Sequence, residues 1–425
     1  MKYSEAIGFL LNLELFGIKL GLTNITKFLD RLGNPQESYQ TVHVAGTNGK
    51  GSTVAMIEAM LVENGYKVGK YTSPHLVEYR ERFRINKQKL SEEYVAGFVA
   101  DHKEFIRSER ITFFETATAL ALQSFKDEQV DFGVVEVGLG GRLDATNVLM
   151  PAVSAITQIA LDHLHVLGNT LEKIAAEKAG IIKEGIPVVT SATDETALAV
   201  LSRTAAERGS LMMRLIPDDH YRVIETAIGH TRFSYSSNGD KPIEYTTNMP
   251  GRHMAENASL ALLALDTLHK SGAVDRVSAN SQGLRNVQWP GRFHMIEGRR
   301  KQIFDVAHNP HGMKALADTL DSLFPGQRFV VVLGVLQRPD FEDFFAQLAR
   351  FTRYLVICRP VTDRAAEMEE LVRNAIAFGL EFAVIEKSIE AYELAVERSG
   401  DDPNIVITGS HYTLGEIYAY LGIAP

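Results

Sequence analysis

The order of apolar segments predicts an α/β protein with two domains in one chain of 425 residues. Short β-branched runs alternate with helical segments, and this alternation is typical of a parallel sheet covered by helices on both faces. The alternation starts twice, once near residue 40 and again after a Trp-Pro-Gly-Arg break at 289–292. A chain of this length is also too long to fold around a single compact hydrophobic core. We therefore predict domains over residues 1–295 and 296–425.

The spacing of apolar residues assigns helices and strands to each domain. In the first domain we predict sheet strands near 41–44, 68–71, 132–137, 153–159 and 186–190, and helices at 3–16, 23–32, 92–107, 115–126, 170–180 and 254–270. Alternating strands at 221–226, 231–235 and 243–246 predict a small antiparallel flap at the edge of this domain. Strands at 302–306, 329–334, 354–358, 382–385 and 405–408 predict a Rossmann-like second domain.

A glycine-rich segment joins the first strand to the next helix, and residues 45–53 read Ala-Gly-Thr-Asn-Gly-Lys-Gly-Ser-Thr. A loop in this position offers backbone N–H groups and a helix N-terminus to an anion, so it is expected to bind phosphates, with Lys50 against the β- and γ-phosphates. Val44 and Gly51 depart from the strict P-loop pattern. The strand–helix context still favours phosphate binding over a simple glycine turn. The expected phosphate-binding residues are Gly46, Thr47, Asn48, Gly49, Lys50, Gly51 and Ser52.

Composition and charge exclude several classes of protein. Hydrophobic and charged contents of 45% and 23% are typical of a soluble globular protein. The net charge of −9 argues against a nucleic-acid or anionic-membrane partner. Cys358 is the only cysteine, so neither a disulfide framework nor a thiolate zinc site is expected. The first residues lack the shape of a signal peptide, no apolar run approaches a membrane span, and we expect a cytoplasmic protein.

Polar side chains follow two strands of the predicted first sheet. Glu136 closes an apolar strand beside the phosphate loop, where a magnesium ligand is expected. The glycine-rich segment 138–147 comes next and indicates close approach of another group to the backbone. His163 follows the next strand in an Asp-His-Leu-His segment. Its imidazole fits either one ligand of a second magnesium or a hydrogen-bonded loop histidine.

Four basic side chains are candidates for anion binding. Lys178 lies among alanines on a predicted helix, and by itself a solvated surface lysine is the better interpretation. If the chain around residue 82 is extended, Arg80, Arg82 and Arg84 share one face and form a local anion site. A solvated strand edge explains the three arginines almost equally well.

The start of the second domain carries a further set of polar residues. Asp305 and His308 lie where its first strand ends, which in a doubly wound fold faces the cleft between domains. Arg292 lies in the preceding linker. These residues are expected to clamp a nucleotide from the second domain, and domain-interface packing is the alternative.

Taken in order, these segments resemble the folylpolyglutamate synthase/dihydrofolate synthase branch of the Mur ligase family. The resemblance covers most of the chain. It rests on A-G-T-N-G-K-G-S-T at 45, Y-T-S-P-H-L at 71, E-V-G-L-G-G-R-L-D-A-T-N at 136, L-D-H at 161, E-K-A-G-I-I-K at 177, W-P-G-R at 289 and D-V-A-H-N-P at 305. It implies a P-loop ATPase domain with a parallel sheet and a small flap, followed by a Rossmann-like C-terminal domain that binds glutamate.

The resemblance also implies a reaction. ATP phosphorylates a pteroate or folate carboxylate, the amine of L-glutamate displaces phosphate from this acyl phosphate, and ADP is released. Two magnesium sites are implied, with Ser73, Glu136 and His163 as ligands. The resemblance also implies that Lys178 is carbamylated, and it allows for a bound monovalent cation. The implied catalytic residues are Lys50, Lys178, His163 and Glu136. Further nucleotide contacts are implied at Asn257, Arg292, Asp305 and His308.

The acceptor pocket is implied in the same way. The run Arg-Leu-Asp-Ala at 142–145 is typical of members that act on both dihydropteroate and reduced folates, so we expect a bifunctional enzyme. We also expect the chain to act as a monomer. The implied substrate residues are Gly21, Leu22, Arg82, Thr112, Phe114, Asp144 and Ala145, with Phe114 stacked on the pterin. The segment 334–340 departs from the D-K-D-like stretch that is frequent in the family. This departure affects the expected glutamate contacts of the second domain.

Two other functions fit parts of the sequence. A Mur-type peptide ligase predicts a UDP-binding domain ahead of the phosphate loop, where the sequence has about 40 residues. A P-loop switch or a transport-coupled ATPase requires neither the second Rossmann-like domain nor a pterin-like pocket.

Overall fold

The computed structural model describes residues 1–13, 21–237, 239, 241–296, 301–400 and 404–425. Two α/β units are built on an eight-stranded and a six-stranded sheet, and a small three-stranded sheet accompanies the first. The predicted fold class is confirmed. In the described part of the chain, the structure contains no helix with the length and apolarity required to span a bilayer.

The first sheet has a parallel centre. Its strands are β1 (Gln40–Ala45), β2 (Val68–Tyr71), β3 (Phe83–Ile85), β4 (Gln88–Lys89), β5 (Phe132–Glu136), β6 (Val153–Ile156), β7 (Val188–Thr190) and β8 (Met212–Arg214). They lie in the order β4-β3-β2-β5-β1-β6-β7-β8, and only the pairings of β3 with β2 and β4 are antiparallel. Because β1 pairs in parallel with both β5 and β6, the segments that follow these three strands emerge at one edge of the sheet.

Helices cover both faces of the first sheet. They are α1 (Tyr3–Leu13), α2 (Thr23–Arg31), α3 (Lys50–Glu63), α4 (Glu92–Ser108), α5 (Phe113–Asp127), α6 (Leu164–Leu167), α7 (Leu171–Ala179), α8 (Glu195–Glu207), α9 (Arg252–Lys270) and α10 (Asn280–Arg285). The helix predicted over 3–16 is observed as far as Leu13, and residues 14–16 lie outside the described part of the chain. Helix α3 is buried all round from residue 51 to residue 61, because α9 and α10 pack on the face that turns away from the sheet.

The predicted flap is a separate antiparallel sheet. It consists of β9 (Tyr221–Ala227), β10 (His230–Tyr235) and β11 (Ile243–Thr247), with β10 in the middle. Burial alternates along β10, so Phe233 and Tyr235 join the same hydrophobic core as helices α3 and α9. The flap is therefore packed onto the first domain through one face.

The second domain is doubly wound. Its strands are β12 (His294–Ile296), β13 (Lys301–Asp305), β14 (Phe329–Leu333), β15 (Thr352–Arg359), β16 (Phe382–Lys387) and β17 (Asn404–Thr408), in the order β12-β13-β17-β14-β15-β16. Its helices are α11 (Pro310–Leu323), α12 (Phe341–Leu348), α13 (Met368–Ala377), α14 (Ser388–Ser399) and α15 (His411–Leu421). Val331 and Leu333 of β14 enter one core, whereas Val330 and Val332 enter the core on the opposite face. Both faces of the sheet are thus covered.

A buried ion pair joins α3 to the sheet. Lys70 on β2 and Glu58 on α3 approach to 2.5 Å, and their side chains are only 2% and 3% exposed. The ring of Trp289 lies beside the Lys70 ammonium, at 5.2 Å from the ring centroid. Burial is the main cause of the lowered pKa of Lys70, and the Glu58 carboxylate opposes it. The charge on Lys70 therefore depends on Glu58.

We expect Glu58→Ala to destabilise the first domain by about 3–5 kcal/mol, because it leaves the Lys70 charge buried without a partner. Urea unfolding followed by far-UV circular dichroism measures the loss. The matched control is Glu128→Ala, which breaks the exposed Lys67–Glu128 pair at 2.9 Å and should cost about 0–1 kcal/mol. Equal losses for the two variants would contradict the assignment.

Candidate active site

A cleft of about 1970 Å³ separates the two domains. The first domain lines it with the phosphate loop 46–52 and with segments that follow β2, β5 and β6. The second domain lines it with residues 305–308, at the end of β13, and with residues 410–412, shortly after β17. The cleft thus lies at the carboxyl ends of both parallel sheets, where α/β proteins bind their ligands.

The phosphate loop is held by close packing against its glycines. Gly46 and Gly49 have φ values of +147° and +88°, and a side chain at either position would be strained. A Cβ on Gly49 would overlap the amide of Asn257, which places that predicted nucleotide residue directly against the loop. A Cβ on Gly51 would overlap the ring of Trp289 and lie 3.4 Å from Oε2 of Glu136. The departure from the P-loop pattern at Gly51 therefore has a steric reason.

Two lysines converge on one carbonyl oxygen. Lys50 Nζ donates to the carbonyls of Gly46 and Thr47 at 3.2 and 3.1 Å. Lys178 Nζ donates to the same Gly46 oxygen at 2.6 Å, and Lys178 is 3% exposed. Burial, together with the charge of Lys50, lowers the pKa of Lys178 to about 7. The interpretation of Lys178 as a solvated surface lysine is therefore wrong, because the small alanines around it let the helix pack tightly.

The predicted metal ligands all line the cleft. Glu136 is 5% exposed, its Oε2 accepts the backbone N–H of Ser73 at 3.1 Å, and burial raises the pKa of its carboxyl group. His163 adopts the left-handed conformation with φ +50°, and burial lowers the pKa of its imidazole to about 4. Within the described residues, no three His, Cys, Asp or Glu side chains form a metal-binding group. The predicted set accordingly contains one hydroxyl, one carboxylate and one neutral imidazole.

The predicted acceptor pocket is largely brought together. Thr112, Phe114, Asp144 and Ala145 line the cleft. The Phe114 ring lies so close to Gly138 that a Cβ there would overlap it. Asp144 accepts the N–H groups of Leu139 and Thr146 at 2.8 and 3.0 Å, so its carboxylate shapes the glycine-rich segment.

Two predicted substrate residues lie elsewhere. Among the described residues, Gly21 and Leu22 do not line the cleft. Leu22 instead packs against the core formed around helices α1, α2 and α5. The structure therefore does not bring this pair to the other substrate residues, because Leu22 is the N-cap of α2 and its side chain packs on that core.

The arginine face predicted from sequence is wrong. Residues Tyr79–Arg82 form a 3-10 turn, because Glu78 and Glu81 cap it reciprocally. Arg80 pairs with Glu78 at 2.9 Å, and Arg84 donates to the Lys87 carbonyl at 3.2 Å. Arg82 is the member of the three that lines the cleft, and its Nε donates to Nδ1 of His75 at 2.9 Å.

The predicted residues of the linker and second domain face the same cleft. Arg292, Asp305 and His308 all line it. The Asp305 carboxylate accepts the N–H groups of Phe293 and Ala307, each at 2.8 Å, so it ties the linker to the end of β13. Burial lowers the pKa of Arg292 and raises that of Asp305, and each charge opposes the shift of the other.

Sequence reasoning missed several residues at the cleft. Asp162 accepts the Asn309 amide at 3.0 Å, and Arg338 forms an ion pair with Asp340 while donating to the His308 carbonyl. Burial would raise the pKa of Asp162, but the neighbouring histidines His308 and His163 outweigh it and lower the pKa to about 2. Asp162 and Asn309 each adjoin a predicted residue in the same motif, which was the available signal. Arg338 lies in the segment that departs from the family pattern.

The chain belongs to the Mur ligase family. The model of the Mur ligase middle domain matches residues 44–265, and that of the Mur ligase, glutamate ligase domain matches residues 291–411. Dihydrofolate synthase/folylpolyglutamate synthase of Bacillus subtilis (strain 168) is 34% identical, with 98% of each chain covered.

Solved structures place the chain further within the family. The structure of Mycobacterium tuberculosis folylpolyglutamate synthase complexed with ADP and AMPPCP matches with a TM-score of 0.88 at 33% identity, covering 99% of this chain and 100% of that one. Escherichia coli FolC in complex with DHPP and ADP matches with a TM-score of 0.85 at 31% identity, covering 99% and 98%. The chain is thus an ATP-dependent ligase of the folylpolyglutamate synthase/dihydrofolate synthase branch, as the resemblance implied.

We expect Gly51→Ala to weaken ATP binding and lower activity by about 10²-fold, because the new methyl group displaces Trp289 or the loop itself. Isothermal titration with AMPPCP and steady-state kinetics measure the two effects. The control is Gly97→Ala on the exposed face of α4, where a Cβ meets nothing within 4 Å. Wild-type affinity in Gly51→Ala would show that the loop tolerates the contact.

Proposed function

We propose that this chain joins L-glutamate to dihydropteroate and to reduced folates through an acyl phosphate, with release of ADP and phosphate. The observation that carries the proposal is one continuous cleft that holds the phosphate loop, Lys178 and the Phe114–Asp144 pocket. The relatives support the choice of substrates, since one is named for both synthase activities and another was solved with DHPP and ADP. A peptide ligase or an uncoupled switch has no comparable support.

The loop and its lysines would bind the nucleotide. Backbone N–H groups at the start of α3 and the Lys50 ammonium face the site where the β- and γ-phosphates belong. Their positive charge would stabilise the phosphoryl group as it moves to the acceptor carboxylate, which is the leading catalytic effect in such transfers. Asn257, Arg292, Asp305 and His308 would hold the rest of the nucleotide from the two sides of the cleft.

Ser73, Glu136 and His163 are the proposed magnesium residues. A hydroxyl and a carboxylate offer the oxygen atoms that Mg²⁺ prefers. The imidazole of His163 is neutral at pH 7, because burial lowers its pKa to about 4, and a neutral ring nitrogen can donate its lone pair to a metal ion. Bound Mg²⁺ would offset negative charge on the phosphates. Glu136 would in addition hold the Ser73 backbone in place through the hydrogen bond described above.

Lys178 is the proposed site of carbamylation. A pKa of about 7 leaves a substantial fraction of its amine neutral near pH 7, and a neutral amine attacks CO₂ and loses a proton to form a carbamate. The reaction converts a buried cation into an anion beside Lys50, so it removes the repulsion between the two ammonium groups. The carbamate would then lie at the end of the cleft that holds the phosphates.

We propose the remaining features on the same basis. Residues 1–295 and 296–425 would act as two domains that close on the substrates, with Thr112, Phe114, Asp144 and Ala145 around the pterin and Arg82 near the acceptor carboxylate. Closure would protect the acyl phosphate from water. The chain would act as a monomer in the cytoplasm.

The deciding experiment measures ADP release with dihydropteroate, with tetrahydrofolate and with no acceptor, each in the presence and absence of L-glutamate. The proposal requires ADP release that depends on both an acceptor and glutamate, with a matching glutamylated product identified by mass spectrometry. Glutamate-dependent turnover with tetrahydrofolate but not with dihydropteroate would reject the proposed dihydrofolate synthase activity. Hydrolysis that ignores both compounds would reject ligation altogether.

We expect Lys178→Ala to lower ligation by about 10²–10³-fold while nucleotide affinity changes little, because the Lys50 contacts remain. NMR with carbon-13-labelled bicarbonate should detect a carbamate in the wild-type chain and none in the variant. Lys173→Ala, an exposed position on the same helix, is the control. Wild-type turnover of Lys178→Ala at any bicarbonate concentration would refute the role.

A further inference from the structure

The side chain of Asn309 makes every hydrogen bond that an asparagine amide can make. Its Oδ1 accepts from the backbone N–H of Gly312 at 2.7 Å and from Nδ2 of Asn48 at 3.1 Å. Its Nδ2 donates to Oδ1 of Asn48 at 2.9 Å and to Oδ2 of Asp162 at 3.0 Å. The residue is 1% exposed. The partners determine the orientation of the amide, because a backbone N–H can only donate and a carboxylate can only accept.

Three of these four bonds cross the boundary between the domains. Asn309 is the N-cap of α11 in the second domain, and its bond to Gly312 satisfies the first turn of that helix. Asn48 belongs to the phosphate loop, two residues before Lys50. Asp162 precedes His163 and also accepts the backbone N–H of that residue at 2.9 Å. One buried amide therefore reaches both the phosphate loop and the segment after β6.

Asn48 has one further contact with each domain. Its carbonyl accepts the Thr157 hydroxyl at 2.7 Å, which anchors its backbone in the first domain. Its side-chain Nδ2 lies 3.1 Å from Nδ1 of His311, which is also on α11. The side chain of Asn48 thus contacts the second domain, whereas its backbone is held within the first domain as part of the phosphate loop. A shift of α11 away from the cleft breaks the side-chain contacts and leaves the loop backbone in place.

We propose that Asn309 is a positioning residue that couples the phosphate loop to domain closure. Through Asn48 and Asp162 it holds the second domain against the loop and so keeps the cleft closed while the acyl phosphate exists. This proposal rests on the proposed function for its chemistry. Without the contacts the cleft opens, water attacks the acyl phosphate to return the free acid and phosphate, and ADP is released with no new amide bond.

Asn309→Ser separates closure from folding. A serine keeps the cap of α11, because its hydroxyl accepts the same backbone N–H and serine is as good an N-cap as asparagine. Its side chain is too short to reach Asn48 or Asp162. The matched control is Asp194→Ser, which makes a similar exchange at the N-cap of α8, where Asp194 accepts the N–H of Ala197 at 3.0 Å.

We expect Asn309→Ser to lower kcat by about 10–100-fold and to lower the yield of glutamylated product per ADP. Its thermal unfolding midpoint should shift no more than that of Asp194→Ser. Small-angle X-ray scattering with Mg-AMPPCP should give a larger radius of gyration for Asn309→Ser than for the wild-type chain. Wild-type product per ADP together with a wild-type radius of gyration would overturn the proposal.

A second pair of variants tests the contact with Asp162. Asn309→Asp keeps the cap but places two carboxylates against each other, so it should lose more activity than Asn309→Ser. Adding Asp162→Asn to Asn309→Asp restores an amide–carboxylate pair and should raise product per ADP above the Asn309→Asp level. If the double variant shows no rescue, the proposed role of the contact between Asn309 and Asp162 is overturned. If the wild-type chain glutamylates no acceptor, the proposed function fails, and the scattering comparison alone then decides whether Asn309 closes the domains.

Discussion

Two ammonium groups that share one carbonyl oxygen set the electrostatics of this cleft. Lys50 comes from the start of α3 and Lys178 from the end of α7, and both donate to Gly46. Burial of the Lys178 ammonium, together with the nearby charge of Lys50, is costly, and the lowered pKa of Lys178 reflects that cost. In the proposed function, a phosphate bound at the loop or a carbamate formed on Lys178 would relieve the repulsion. The two ammonium groups therefore favour binding of negative charge at the place where the chemistry is proposed.

Close packing keeps this arrangement rigid. Helix α3 is enclosed by the sheet on one side and by α9 and α10 on the other, so the loop at its N-terminus has little freedom. Asn257 on α9 lies against Gly49, and Trp289 of the linker lies against Gly51. Trp289 also lies beside the Lys70–Glu58 pair. The linker is thus attached at one end to the core beneath the phosphate loop, and at the other end Asp305 ties it to β13.

The two domains meet through polar groups that also line or adjoin the site. Asn309, Asn48 and Asp162 form hydrogen bonds with one another while the domains are together, and separation of the domains would exchange those bonds for bonds to water. In the proposed closure, such a contact would hold the domains together without the strong attraction of a large apolar interface, and it would still allow opening for product release.

The amino-acid sequence by itself determined the class of fold, the order of most strands and helices, and the position of the glycine-rich loop between β1 and α3. These features depend on local patterns, such as apolar spacing, glycines and strand-to-helix transitions, which lie within a few residues of each other. The ordered motifs also identified the family, because each motif adds an independent constraint to the others.

Only the tertiary structure decided which side chains reach the cleft. Alanines around Lys178 do not reveal that its ammonium is buried beside Lys50, and the alternation of Arg80, Arg82 and Arg84 does not reveal the capped turn that separates them. The pairing of Lys70 with Glu58 joins two different elements, and that of Asn309 with Asn48 joins residues 261 positions apart. Burial and partner choice are properties of the packed whole, because the free energy of a charge or an amide depends on what surrounds it and not on its neighbours in sequence.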